Sequence, residues 1–179
     1  MNGLRLGATL TPLAPSELAQ VSAFSKTIWA QSYVPEVLAP GEAAHFWAAA
    51  YSEEAMLQDM QQGGRYFWVV KGGERIGFCS LRLEPSSATA RLGKLYLRPQ
   101  DQGQGHGQRV IEALKSLCIE AGCSHLWLYV FRKNQRAIKA YQRAGFNIIR
   151  YETTDAGCGF FYEDAVMALD ITSGSAGTS

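Results

Sequence analysis

The chain has 179 residues, 47% hydrophobic and 18% charged, with a formal net charge of +1 at pH 7. That length fits one domain, and that apolar share excludes a disordered or fibrous chain. The near-neutral total gives no argument for nucleic acid, and no apolar run approaches the roughly 20 residues a bilayer span needs.

The first predicted element is an edge strand over Leu4 to Leu10, ended by Thr11-Pro12. Pro15-Ser16-Glu17 then reads as a helix start, with Ser16 as the cap. Leu18, Val21, Ile28 and Trp29 follow at helical spacing. Pro35 and Pro40-Gly41 break the chain before a helix over Glu42 to Ala50. Ser52-Glu53-Glu54 starts another helix, which stops at Gly63-Gly64. Strands are predicted over Arg65 to Lys71 and Arg75 to Glu84, flanking a Gly72-Gly73-Glu74 hairpin turn. A third strand, Ala90 to Arg98, contains Gly93, which suggests a bulge or a close backbone approach. A glycine-rich turn leads into a helix ending near Ala121, with an apolar stripe of Val110, Ile111, Leu114, Leu117, Cys118 and Ala121. His125 to Phe131 reads as a buried strand, and Asn134 to Ala144 as a helix closed by Gly145. Phe146 to Tyr151 and Phe160 to Leu169 are the last strands. The pattern predicts one domain over 1–171, with a flexible polar tail at 172–179. A strand, helix, strand unit demands a parallel pair, and the hairpins make the rest antiparallel. The fold class is therefore α/β (α+β), a mixed sheet with helices on both faces.

Cys79, Cys118, Cys123 and Cys158 form no Cys-x-x-Cys pair, and His45, His106 and His125 are not grouped with them. No metal site and no disulfide framework are expected. The opening MNGLRLGATLTPLAP lacks a basic head followed by an apolar stretch, so no export signal is read. The expectation is a cytoplasmic protein with reduced, mostly buried cysteines, without membrane or nucleic-acid partners.

The near-zero total hides three blocks. Residues 16–62 carry −5, residues 63–150 carry +10, and residues 151–179 carry −5. A basic middle suits a polyanionic ligand, and acidic flanks suit a cationic one; solvated surface is the competing reading. Within the basic block, Gln102-Gly103-Gln104-Gly105-His106-Gly107 lies between a strand and a helix. Such a turn lets free N–H groups at a helix start hold phosphate oxygens, though an ordinary glycine-rich turn reads the same way. It is not a P-loop, because Gln108-Arg109 follows Gly107 instead of Lys-Ser/Thr. It is not a dinucleotide fingerprint either, because Gln108 stands where glycine or alanine is needed and the next strand ends in Arg132-Lys133. Downstream, Asn134, Ala137, Ile138 and Tyr141 share one helical face. Taken alone, Tyr141 reads equally as a core aromatic.

Gln102-x-x-Gly105-x-Gly107 after LYLRP, then Asn134-x-x-Ala137-x-x-x-Tyr141-x-x-x-Gly145-Phe146 after a strand, resembles the GNAT superfamily of N-acetyltransferases. The resemblance covers roughly Leu92 to Phe146. It implies a GNAT-like, mostly antiparallel central sheet and an acetyl-CoA donor. Gln102, Gly103, Gln104, Gly105, His106, Gly107 and Gln108 would cradle the pyrophosphate. The backbone of Leu95, Tyr96 and Leu97 would pair with the pantetheine arm, and Asn134, Ala137 and Tyr141 would touch it. Tyr141 would act as general acid on the leaving thiolate.

The resemblance also implies a strand-borne glutamate as base, but this strand carries Arg91, Gly93 and Lys94 there. Glu84 is taken as the base candidate, with Glu36, Glu42, His45 or a water relay as alternatives. The acceptor implied is a small cationic primary amine, with Tyr33, Glu36 and Trp47 as substrate contacts. A shorter likeness, in FFYEDAVM, LWLYV and SYVPEVL, is to bacterial polyamine acetyltransferases. The alternatives are a protein lysine or N-terminal acetyltransferase, and a non-catalytic acyl-CoA-binding module. A monomer or homodimer is expected.

Overall fold

The structure is a computed structural model and describes residues 7–172. The predicted strand start at Leu4 and nearly all of the tail lie outside the described residues. Seven strands form one sheet in the order β1 (Thr9–Pro12), β2 (Gly64–Lys71), β3 (Glu74–Glu84), β4 (Thr89–Leu97), β5 (His125–Phe131), β7 (Phe160–Asp170) and β6 (Asn147–Gly157). Every neighbouring pair is antiparallel except β4 and β5. Helices α1 (Leu18–Ser32), α2 (Pro40–Tyr51) and α3 (Glu53–Gln61) precede β2; α4 (His106–Glu120) joins β4 to β5, and α5 (Gln135–Arg143) follows β5.

Alternation along the strands divides the molecule into two cores. Phe67 and Val69 of β2 join Val110, Ile111 and Leu114 of α4 and Ile138 of α5. Tyr66 and Trp68 point the other way, into Val21 and Trp29 of α1, Phe46 of α2 and Met56 of α3. A period of two in a strand produces this sorting, so the sheet is covered on both faces as expected. The α4 stripe is apolar at helical spacing, and full burial of a side chain such as Leu114 contributes roughly 1.5–3 kcal/mol.

Several local details differ from the sequence reading. The first strand runs through Thr11 and Pro12, because Pro12 lies opposite Phe67 on an edge where its missing N–H costs little. Ser16 does not cap. The Glu17 carboxylate accepts from the Ala14 N–H at 3.0 Å instead, across a short 3₁₀ turn. Pro40 opens α2 rather than breaking the chain before it, as its preset φ allows at a first helical position. Ser52 does cap α3, accepting from the Ala55 N–H at 3.3 Å. The β6 strand runs to Gly157, beyond the predicted Tyr151; its polar half is held by pairing with β7, which no apolar pattern signals. No helix of the described residues is long and apolar enough to cross a membrane.

Two features of β4 open the middle of the sheet. The register with β3 slips between Ser80 and Leu81, so Gly93 is the extra residue of a β-bulge. A Cβ at Gly93 would stand 2.7 Å from Ser80 Oγ, so only glycine fits there without movement. On the other side, β4 meets β5 only at Thr89, Ala90 and Arg91. Beyond Arg91 the parallel strands diverge and leave a wedge between them.

Candidate active site

The wedge opens into a cavity of about 840 Å³. It is bounded by β4 from Arg91 to Leu97 on one side and by β5 and α5 on the other. Past Arg91 the β5 side of β4 has no strand partner, so backbone groups near Leu95, Tyr96 and Leu97 are free to bond a ligand in extended form.

At one end lies the glycine turn. Arg98 pairs with the buried Asp101 at 2.7 Å and with Glu74 at 3.2 Å, which holds the chain leaving β4. The Gln102 amide donates to the Leu97 carbonyl at 2.9 Å and ties the turn to the strand end. Gly103 and Gly105 stand at φ +72° and +81°, and a Cβ at either would meet nothing within 4 Å. The turn is thus an open concavity at the start of a fifteen-residue helix whose first N–H groups have no intrahelical partner. Gln108 donates to the Ala140 carbonyl at 3.2 Å and bridges α4 to α5 across the wedge. Arg136 and Arg143 of α5 also line the cavity. Free N–H donors, a bare backbone, an unpaired strand edge and two guanidinium groups fit an extended diphosphate-bearing donor.

Asn134 caps α5, its side-chain oxygen accepting from the Ala137 N–H at 3.1 Å. Asn134, Ala137 and Tyr141 all line the cavity, as does Tyr33. The Tyr141 ring packs edge-on to Phe146 at 5.6 Å. Burial, with Cys79 adding to it, pushes the Tyr141 phenol well above its ordinary range, so the hydroxyl stays protonated.

The far end is aromatic and charged. The Tyr33 and Tyr51 hydroxyls each donate to Tyr96 Oη, at 3.2 and 2.8 Å. Burial keeps all three phenols neutral. Tyr162 stacks on Phe46 at 4.4 Å between ring centroids. Two carboxylates reach the cavity, Asp59 and Asp164. Asp59 is taken up by Arg82 and by the Tyr66 hydroxyl at 2.8 Å. Asp164, opposite Phe131 on β5 and Glu152 on β6, is half-buried. Burial, with Glu152 nearby, raises its carboxyl to about 6.

Other residues singled out from the sequence lie elsewhere. Glu84 accepts from Thr89 Oγ1 at 2.9 Å and does not line the cavity. Glu36 is exposed in the turn after α1. Trp47 donates from Nε1 to Ser25 Oγ at 2.9 Å, with Lys26 over its ring, also outside the cavity. His45 bonds the Ala156 carbonyl at 2.7 Å. The Gln104 amide folds back onto the Gln100 carbonyl at 2.7 Å. His106 is buried behind the turn with both ring nitrogens unpartnered, and desolvation lowers its pKa. These placements follow from strand register and helix phase, which a linear reading does not contain. Asp164, Arg91, Lys94 and Asp59 reach the cavity for the same reason. The acidic, aromatic stretch Tyr162-Glu163-Asp164 pointed to the acceptor side in the sequence, and the missing carboxylate on β4 hinted at a change of chemistry there.

The Acetyltransferase (GNAT) family profile matches residues 27–146. The chain belongs to the GNAT family of acetyltransferases. The [Ribosomal protein bS18]-alanine N-acetyltransferase of Escherichia coli strain K12 is 35% identical over 133 residues, covering 70% of this chain and 84% of that one. The PaiA N-acetyltransferase from Thermoplasma acidophilum, solved in complex with coenzyme A, shares the fold at a TM-score of 0.73 and 20% identity, covering 92% and 99% of the two chains. A spermidine N-acetyltransferase from Vibrio cholerae shares it at 0.64 and 16% identity, covering 92% and 94%. This GNAT protein is thus an acetyl-CoA-dependent N-acetyltransferase, and the fold expected from its motifs is the one found.

Proposed function

We propose that the chain moves the acetyl group of acetyl-CoA to a primary amine of a small molecule by direct attack within a ternary complex. One observation carries this reading: a single cavity runs from the glycine turn, past Tyr141, to Asp164. The donor diphosphate sits at Gly103 to Gly107, and its arm follows Leu95 to Leu97. The amine enters from the aromatic end. Asp164, the cavity carboxylate that no cation neutralises among the described residues, takes one proton from the ammonium group and passes it to solvent. It then takes the second nitrogen proton as the tetrahedral adduct collapses to the amide, and releases that one to solvent too. The nitrogen lone pair attacks the carbonyl carbon, and a β4 N–H near Leu95 to Leu97 stabilises the resulting oxyanion. The carbon–sulfur bond breaks with its electron pair on sulfur. Tyr141 protonates that thiolate and later regains a proton from solvent. The burial that disfavours a Tyr141 phenolate also disfavours a bare thiolate, so the transfer stays matched. Glu84, with its Thr89 bond outside the cavity, has no place in this scheme.

A second reading, acetylation of a protein N-terminus, is favoured by the relative named for the alanine of ribosomal protein bS18. Thiol release from acetyl-CoA across polyamines, amino acids, aminoglycosides and peptides separates the two. Turnover of small amines is expected. Turnover of peptides alone would establish the second reading, and tight coenzyme binding with no turnover would overturn both.

A further inference from the structure

We propose that the acceptor carries a carboxylate beside its amine, and that Arg91 and Lys94 hold that carboxylate. The inference rests on the wedge being the amine site and names the class of amine. Arg91 lines the cavity, and its buried Nε has no hydrogen-bond partner. Its guanidinium carbon lies 5.8 Å from the Trp127 ring centroid. Lys94 also lines the cavity, its Nζ 5.1 Å from the Tyr51 ring and 5.4 Å from the Tyr66 ring. Neither forms an ion pair among the described residues. Arg82, opposite Arg91 in the β3–β4 register, is already bound to Asp59. On this side the cavity is lined by two unpaired cations, Arg91 and Lys94, and by one carboxylate, Asp59, already committed to Arg82 behind it.

A partly buried guanidinium or ammonium without an anion is costly, and the β4 bulge at Gly93 sets both toward the same space. A carboxylate from the ligand completes the wall. Asp164, across the cavity, is left to receive the amine. An acceptor that is cationic throughout would set one of its charges against Arg91 and Lys94. This adds an anionic group to the cationic acceptor expected from the acidic blocks, of which Asp164 lines the cavity and Glu36 does not. The groups facing Lys94 agree. Asp59 of α3 favours its charge, whereas burial, Arg91 and Arg82 oppose it, and Tyr51 and Tyr66 flank it as neutral phenols. The outcome is a Lys94 pKa of about 8. A bound carboxylate raises it, so binding near pH 8 takes up protons.

The test compares each amino acid with its own amide as acceptor in thiol release. For the preferred side chain the acid should exceed the amide by about 10-fold or more in kcat/KM, and Arg91→Gln should raise the KM of the acid alone by about 10-fold with little change in kcat. Arg91→Lys should restore part of that loss, which a misfolded variant would not. Equal use of acid and amide, or better use of polyamines, would overturn the proposal. If no amine is acetylated, the amine reading fails, and calorimetry of glutarate on the coenzyme A complex decides the carboxylate site by itself. Binding that Arg91→Gln abolishes upholds it, and no binding refutes it.

Discussion

At the scale of single residues, the proposed scheme divides the proton work between two side chains. Tyr141→Phe keeps the ring that packs on Phe146 and removes only the hydroxyl. Coenzyme A affinity should stay unchanged while kcat falls by roughly 10²–10⁴, as loss of a general acid does. Unaltered turnover in stopped-flow thiol release would remove the role. Asp164→Asn should cost a comparable factor and erase an acidic limb in kcat/KM centred near pH 6, where the carboxyl titrates. Stability should move the other way. The folded carboxyl has a raised pKa, so between its ordinary value and about 6 the native state binds more protons than the unfolded one. Stability from this group is present at low pH and lost as pH rises through that window. Asp164→Asn should therefore melt higher than the parent at pH 8, with the gap closing below about pH 4. A gap that persists in acid would assign the effect to packing instead.

At the scale of elements, the site depends on how β4 ends and how α4 begins. The bulge, the divergence from β5 and the Gln102 bond to Leu97 set the strand edge and the helix start side by side. Gly105 at φ +81° lies in the left-handed region, where a β-branched residue is strained by roughly 1–3 kcal/mol. Gly105→Val would also fill the open concavity. Coenzyme A affinity measured by calorimetry should drop by about 5-fold or more, as the free turn relaxes out of the cradle shape to relieve that strain. An unchanged dissociation constant would contradict the cradle. On the far side of α5, Phe146 is buried at 1% exposure and backs the Tyr141 ring. Phe146→Ala should destabilise the fold by about 3–5 kcal/mol in denaturant titration.

At the scale of the whole molecule, the two cores let the sheet be split without falling apart. Each face has its own packed cluster, so the two halves of the sheet are held although β4 and β5 share no ladder beyond Arg91. The charge pattern acquires a direction. Arg136 and Arg143, both exposed, line the cavity from α5, the proposed donor end, while Arg91 and Lys94 line it from β4, at the proposed acceptor end. Exposed charges are screened by salt and buried ones much less. Raising ionic strength from about 0.05 to about 0.5 M should therefore raise the KM of acetyl-CoA severalfold. The KM of the acceptor should change less. Equal changes in both would place the two cation pairs in the same electrostatic setting.

The fold was legible because its signals are local. Period-two strands, the α4 stripe, Gly72-Gly73 and the Gly103 to Gly107 turn each declare their own conformation, and their order leaves few ways to assemble. That the turn, Asn134 and Tyr141 line one cavity was legible for the same reason, since they sit in contiguous motifs. The acceptor end was not. Glu84, Glu36 and Trp47 carried suitable chemistry but were turned elsewhere by register and helix phase. Asp164 enters through its pairing with Phe131 across β5 and β7, and Arg91 and Lys94 enter through a one-residue bulge. Sequence by itself determined the elements, their order and the glycine turn that opens α4, because those depend on neighbours along the chain. Only the tertiary structure decided which charges meet in the wedge, because one residue of register reverses the face on which a strand side chain lies.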